Sequence, residues 1–218
     1  MAPPDRLRAL IFDFDGTLAD TLPICVGAFQ GALRQHTGRR MSAAEVTAMF
    51  GPNEEGMLSE ILPDAFEPAM ATFLYEYERL HASCTAPFDG LTELLDRLAE
   101  RKLQLGLVTG KGAHSAAISL RAVGLAGRFD RIETGSPLGS IKPEAIRRLL
   151  AEWQIPAPAS AYIGDSPIDV RAARETGAIA VAAAWAPGTD PEPLAAEQPD
   201  FLFQSVEGFA AWAIRITG

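Results

Sequence analysis

Asp13 and Asp15 stand two apart in Phe12-Asp13-Phe14-Asp15-Gly16-Thr17, directly after the apolar run Leu10-Ile11-Phe12. Side chains alternate along a strand, so both carboxylates share one side and the phenylalanines take the other. Carboxylates paired at a buried strand end repel and are costly to desolvate. They persist where a cation offsets one and a proton the other. Asp-Gly-Thr is also a common turn sequence, which accounts for Asp15 and Gly16 but not for Asp13 inside the apolar part.

Three further stretches have the same character. Val108-Thr109-Gly110-Lys111-Gly112 offers a hydroxyl and backbone N–H groups that can hold a phosphate oxygen, and reads equally as a plain strand-to-helix turn. In Ile141-Lys142-Pro143-Glu144, Pro143 suits a first helical position and Glu144 a first turn. That leaves Lys142 just before a helix, where the dipole disfavours a cation unless an anion lies beside it. In Tyr162-Ile163-Gly164-Asp165-Ser166-Pro167-Ile168-Asp169, Asp169 completes a capping box with Ser166. Asp165 has no such local duty.

The elements that must position these residues alternate. Leu7–Phe14, Leu103–Thr109, Phe129–Glu133, Ala161–Gly164, Ile179–Ala184 and Phe201–Phe203 read as buried strands. Helical patterns at Leu91–Glu100, His114–Val123, Glu144–Trp153 and Asp169–Glu175 separate them. This predicts an α/β fold, a doubly wound parallel sheet whose ligands sit beyond the carboxyl ends of the strands. All four chemical stretches fall at such ends. Between Leu18 and Ser83 the pattern is helical only: Leu22–Gln35, a capping box at Ser42-Ala43-Ala44-Glu45, Asn53–Leu62 and Ala65–His81. The chain is expected to divide into a core (residues 1–17 and 86–218) and an inserted helical cap (residues 18–85) that closes over the sheet edge as a lid. Pro187–Pro199 reads as a surface loop with a short helix.

The ordered set Asp13-x-Asp15-Gly16-Thr17, Thr109, Lys142 and Gly164-Asp165-x-x-x-Asp169 resembles the four motifs of the haloacid dehalogenase superfamily, in its cap-bearing phosphatase branch, which includes phosphoglycolate phosphatase. The resemblance implies a Rossmann-like core and Mg²⁺-dependent hydrolysis of a small phosphorylated metabolite. It makes Asp13 the nucleophile that becomes an aspartyl phosphate, and Asp15 the acid and base that serves the leaving alcohol and then the water. Mg²⁺ would be held by the Asp13 carboxylate, the Asp15 backbone carbonyl and Asp165, with Asp169 in support. Thr109, Gly110, Lys142 and, if it points inward, Lys111 would hold the phosphoryl group. Asp13, Asp165 and Asp169 with a phosphate monoester carry about −5, against about +3 from Mg²⁺ and Lys142, so substrate binding is expected to require the metal.

The resemblance leaves two alternatives open, a sugar-phosphate mutase sharing the aspartyl phosphate and a non-catalytic phosphate-binding regulator. Asp15 disfavours the metal-free dehalogenases, which lack a second carboxylate. The absence of lysine between Leu18 and Ser83 disfavours the phosphonate-cleaving branch, which uses a cap lysine. The arginines of the insert, Arg34, Arg39, Arg40 and Arg79, do not reproduce the mutase motif. In the cap, Gly51-Pro52-Asn53-Glu54-Glu55-Gly56 reads either as a helix start or as a loop facing substrate. If it faces substrate, its acidity disfavours a carboxylate-bearing leaving group.

Composition agrees with this reading. The chain has 218 residues, 48% hydrophobic and 22% charged, with a formal charge of −9. That excludes a broad nucleic-acid or anionic-membrane surface, since both need a positive field. The polar, Pro-rich start and the short Leu10-Ile11-Phe12 run give no targeting segment or span, and Cys25 and Cys84 have no metal-ligand spacing, so a cytoplasmic protein with reduced thiols is expected. Monomer or dimer is left open by these residues. His36, His81 and His114 are expected to serve packing or the surface, and Phe29, Phe73, Tyr75 and Tyr77 to pack the cap helices.

Overall fold

The apolar run that precedes Asp13 becomes the central strand of a six-stranded parallel sheet. In the computed structural model, which describes residues 6–217, the strands are β1 (Ala9–Phe12), β2 (Gln104–Val108), β3 (Arg131–Glu133), β4 (Ser160–Gly164), β5 (Ile179–Ala183) and β6 (Phe201–Phe203). Their order is β3-β2-β1-β4-β5-β6. The chain winds one way from β1 to β3 and the other from β4 to β6, so a crevice opens where the direction changes, between β1 and β4. Phe12 pairs with Leu107 on one side and Ile163 on the other. That register brings the residues after β1, β2 and β4 to one edge.

Alternation along β1 decides which way the chemistry faces. Leu10, Phe12 and Phe14 enter the core packed by α5 (Leu91–Glu100), α6 (Ala113–Ala122) and α10 (Val206–Ile216). Ala9 and Ile11 enter the opposite core, packed by α7 (Lys142–Trp153), α8 (Pro167–Thr176) and α9 (Pro191–Ala196). Asp13 continues the odd series, and so lies on the side where α7 and α8 begin. The helices bury apolar stripes of the expected period: α5 presents Leu91, Leu94, Leu95 and Leu98 to the sheet.

The insert folds as four helices, α1 (Leu22–Thr37), α2 (Ala43–Thr47), α3 (Glu54–Ile61) and α4 (Phe66–Leu80). They close on a core of their own containing Phe29, Val46, Leu58, Phe73 and Tyr77. The Phe29 and Phe73 rings lie 4.7 Å apart and Phe73 stacks on Tyr77 at 5.5 Å. The capping box forms: Ser42 Oγ accepts from the Glu45 N–H, and a Glu45 carboxylate oxygen accepts from the Ser42 N–H. The Phe88 N–H donates to the Leu18 carbonyl at 2.9 Å, so the outgoing and returning connections are clasped.

Several expectations need correcting. Tyr75 is 67% exposed and does not pack the cap. Helix α7 begins at Lys142 itself, placing Pro143 second rather than first. Helix α10 is an element that the sequence pattern above does not include; Ser205 caps it, and Phe209, Trp212 and Ala213 form its buried stripe. The Pro-rich start, residues 1–5, lies outside the described residues. Among those described, no helix is long and apolar enough to cross a membrane.

Candidate active site

Asp13, one residue beyond β1, donates its N–H to the Ile163 carbonyl and so extends the ladder by one rung. The residue is 6% exposed. Lys142 Nζ lies 3.0 Å from Asp13 Oδ2 and 2.5 Å from Asp169 Oδ1. The lysine at the start of α7 thus has its anions, one from the end of β1 and one from the first turn of α8. Burial opposes the Lys142 ammonium, but Asp13 and Asp169 outweigh it and raise the lysine's pKa.

Carboxylates from Asp13, Asp165 and Asp169 bring one oxygen each within 4.8 Å of one another. They differ in what already binds them. Asp169 is saturated: Oδ1 accepts from Lys142 and from the Tyr162 hydroxyl at 3.0 Å, and Oδ2 from the Ser166 N–H and Oγ. Asp13 Oδ1 is buried with no hydrogen-bond partner. Asp165 makes no side-chain hydrogen bond or ion pair among the described residues. Burial pushes the Asp13 carboxyl up to about 7, against the pull of Lys142. Burial and then Asp13 and Asp169 raise Asp165 well above the carboxylate range. One lysine against three converging carboxylates leaves a deficit of positive charge, and hard oxygens at this spacing fit a divalent cation such as Mg²⁺. Asp13 and Asp165 supply the free donors, and Asp169 holds Lys142 and the α8 start in place.

Asp15 belongs to a different neighbourhood. Its carboxylate is outside the three-carboxylate cluster. Oδ1 accepts from Thr21 Oγ1 at 2.6 Å and pairs with Lys111 Nζ at 2.9 Å. Lys111 therefore points inward. It is buried and sits over the Tyr77 ring, 4.7 Å from its centroid. Burial opposes its charge, and Asp15 beside it prevails and raises the pKa. Thr109 is buried, its hydroxyl accepting the Lys111 N–H at 3.3 Å, and does not line the cavity, whereas Gly110 does.

The cap supplies the roof. The Asn53 N–H and Nδ2 donate to the Ser136 and Gly135 carbonyls, while its Oδ1 caps α3 at the Gly56 N–H. Both readings of the Gly51–Gly56 loop therefore hold: it starts a helix and it faces the site. Glu54 is buried, and its carboxylate accepts from the Gly112 N–H at 2.5 Å and from Ser115 Oγ at 2.7 Å, at the start of α6. Tyr77 and His81 both hydrogen-bond Ser119 Oγ on α6, at 2.7 and 3.0 Å. His114 is exposed and does not line the cavity. The cavity is about 230 Å³ and opens to solvent. Thr21 and Tyr162 are the site residues that local reading of the sequence did not assign, and Glu54 belongs to the cap loop for which that reading leaves two roles open.

Comparison with known proteins agrees with this geometry. The family model of haloacid dehalogenase-like hydrolases matches residues 10–183. A phosphoglycolate phosphatase of Synechococcus elongatus is 30% identical, over 91% of this chain and 93% of its own length. The pyrophosphatase PpaX of Listeria innocua is 28% identical, over 94% and 96%. A crystal structure from Haemophilus somnus, described as a predicted phosphoglycolate phosphatase, superposes with a TM-score of 0.80 at 22% identity, covering 97% of this chain and 98% of that one. The chain belongs to the haloacid dehalogenase-like hydrolase family.

Proposed function

We propose that this protein is a Mg²⁺-dependent phosphatase that hydrolyses a small phosphate monoester through a phosphoryl group carried on Asp13. The observation that carries the reading is the convergence of Asp13, Asp165 and Asp169 on one another, with Asp13 Oδ1 unpartnered and a single lysine to balance them. Mg²⁺ bound by Asp13, Asp165 and the Asp15 carbonyl would offset the carboxylates and withdraw charge from the phosphoryl oxygens.

Around it the chain's own groups divide the work. A carboxylate oxygen of Asp13 attacks phosphorus while the bond from phosphorus to the leaving oxygen breaks. Asp15 gives its proton to that oxygen, releasing an alcohol. Asp15, now a carboxylate, takes a proton from water, whose oxygen attacks phosphorus. The bond to Asp13 breaks, and inorganic phosphate leaves. Lys142 offsets the charge on the transferring group from a position fixed by Asp169. Thr21 and Lys111 hold Asp15 Oδ1 and leave Oδ2 to exchange the proton. The cap loop and α6 exclude bulk water, so a small metabolite suits the site better than a folded phosphoprotein.

The test is phosphate release from small phosphate monoesters with Mg²⁺ and with a chelator. Turnover should depend on Mg²⁺, and Asp13→Asn should lower kcat by at least about 10³-fold. Borohydride reduction during turnover should convert Asp13 to homoserine. A labelled residue other than Asp13, or Asp13→Asn at wild-type rate, would overturn the reading. A mutase would return an isomeric sugar phosphate instead of free phosphate. The insert's arginines do not line the cavity, and Lys111, which does, is held by Asp15.

A further inference from the structure

Beyond the phosphoryl end, the cavity has no cation to spare. Its acidic and basic lining is Asp13, Asp15, Glu54, Asp165, Lys111 and Lys142. Lys142 is held by Asp13 and Asp169, where the phosphoryl group would sit. Lys111 is held by Asp15 Oδ1 and covered by the Tyr77 ring. The start of α6, whose N–H groups could otherwise receive an anion, is occupied by the protein's own Glu54 on the Gly112 N–H and Ser115 Oγ. With Asp15 carrying the proton it gives to the leaving oxygen, the leaving-group side holds the Glu54 carboxylate and one ammonium, Lys111, which is already engaged by Asp15 Oδ1 and the Tyr77 ring. The rest of that wall includes Leu22, Cys25, Phe29, Phe50 and Met57. A second anion would be stripped of water beside Glu54 with nothing to pair it.

Resting on the phosphatase reading above, we infer that the alcohol released is small, uncharged and partly apolar, and that Glu54 determines this specificity by excluding anionic leaving groups. Such a substrate is unlike those in the names of the Synechococcus and Listeria relatives. Phosphoglycolate carries a carboxylate beyond its ester, and pyrophosphate a second phosphate. The fixed geometry matters. Both Glu54 oxygens are tied to α6, so the carboxylate cannot swing out to make room for an anion. Helix α3, which carries it, is anchored through Asn53 to the loop at Gly135 and Ser136.

The decisive comparison is a matched pair, phosphoglycolate and its neutral amide, 2-phosphoglycolamide, with pyrophosphate as a third compound. Steady-state phosphate release by the full chain with Mg²⁺ should give the amide at least a tenfold higher kcat/KM than either anionic compound. Glu54→Gln should shrink the ratio within the pair to about threefold or less, chiefly by lowering KM for phosphoglycolate. Phosphoglycolate or pyrophosphate turned over as fast as the amide would overturn the inference while leaving the phosphatase reading intact. So would a folded Glu54→Gln protein that keeps the wild-type ratio. Should that variant fail to fold, the wild-type ratio decides alone. No phosphate from any ester, with or without Mg²⁺, would instead sink the phosphatase reading and the inference with it.

Discussion

A methyl group placed on Gly16 would overlap the Asp165 carboxylate, because the loops leaving β1 and β4 touch at that point. Gly16 also has φ +67°, in the left-handed region. Both facts forbid a side chain, and the first ties the turn after Asp15 to the placement of a proposed metal ligand. Gly16→Ala should therefore act twice. The backbone conformation should cost about 1–2 kcal/mol of stability, and displacement of Asp165 should weaken Mg²⁺ binding about 10–100-fold. Urea unfolding and calorimetric Mg²⁺ titration separate the two. A stability loss with unchanged Mg²⁺ affinity would remove Asp165 from the ligand set.

Tyr162 makes a second link between packing and chemistry. Its hydroxyl lies 3.0 Å from both Asp169 Oδ1 and the Val108 carbonyl. Burial comes first among the causes that raise its pKa, so it stays a donor. Tyr162→Phe would leave Asp169 held by Lys142 and Ser166 alone. Stability should fall by about 1 kcal/mol and Mg²⁺ affinity by about tenfold. Wild-type affinity in the variant would show that Lys142 and Ser166 suffice to hold Asp169.

The clamp of His81 and Tyr77 on Ser119 should respond to acid. His81 is buried, and desolvation holds its pKa below the ordinary value of 6.5, with Lys111 adding to the effect and the Cys84 carbonyl and Asp15 opposing it. A lowered folded pKa means that the unfolded chain takes up the proton first as pH falls. The contribution of neutral His81 is present above about 6.5 and is lost below it. Urea midpoints should drop between about pH 7 and about pH 5 in wild type, and less steeply in His81→Gln. Parallel curves for the two proteins would refute the assignment to His81.

The parts of this site that were legible in the sequence are those where a residue contradicts its local surroundings. Asp13 interrupts an apolar run, and Asp165 follows one without a capping role. Lys142 opposes the dipole of its own helix. Such anomalies announce themselves because a strand end or helix start sets a clear expectation for what should stand there. Glu54 was ambiguous for the opposite reason: it fits the first turn of α3. Its partners Gly112 and Ser115 lie 58 and 61 positions away, so its second role exists only once the cap meets α6. The miss at α10 is different in kind. Phe209, Trp212 and Ala213 already carry a helical period, and that signal was present to be read.

Thr21 shows how a residue without a local anomaly can still hold the chemistry. It stands at the N-cap of α1, where a threonine hydroxyl ordinarily receives a helix N–H, yet it makes no such bond. Its Oγ1 donates to Asp15 Oδ1 at 2.6 Å instead, on the same oxygen that Lys111 approaches. With Oδ1 doubly held, Oδ2 is left as the oxygen that would exchange the proton in the proposed mechanism. Thr21→Val keeps the shape and removes the donor. Because the hydroxyl is not capping α1, the helix should lose little stability. The proton transfer should suffer instead: kcat about 10–100-fold lower with KM nearly unchanged, within the range that a general acid contributes. The loss should be greatest for esters of weakly acidic alcohols, which need the proton most, and small for esters of nitrophenol. Thr21→Ser should recover most of the rate. An equal loss across all leaving groups, or no rescue by serine, would mean that Thr21 serves packing alone and that Asp15 is oriented by Lys111 without it.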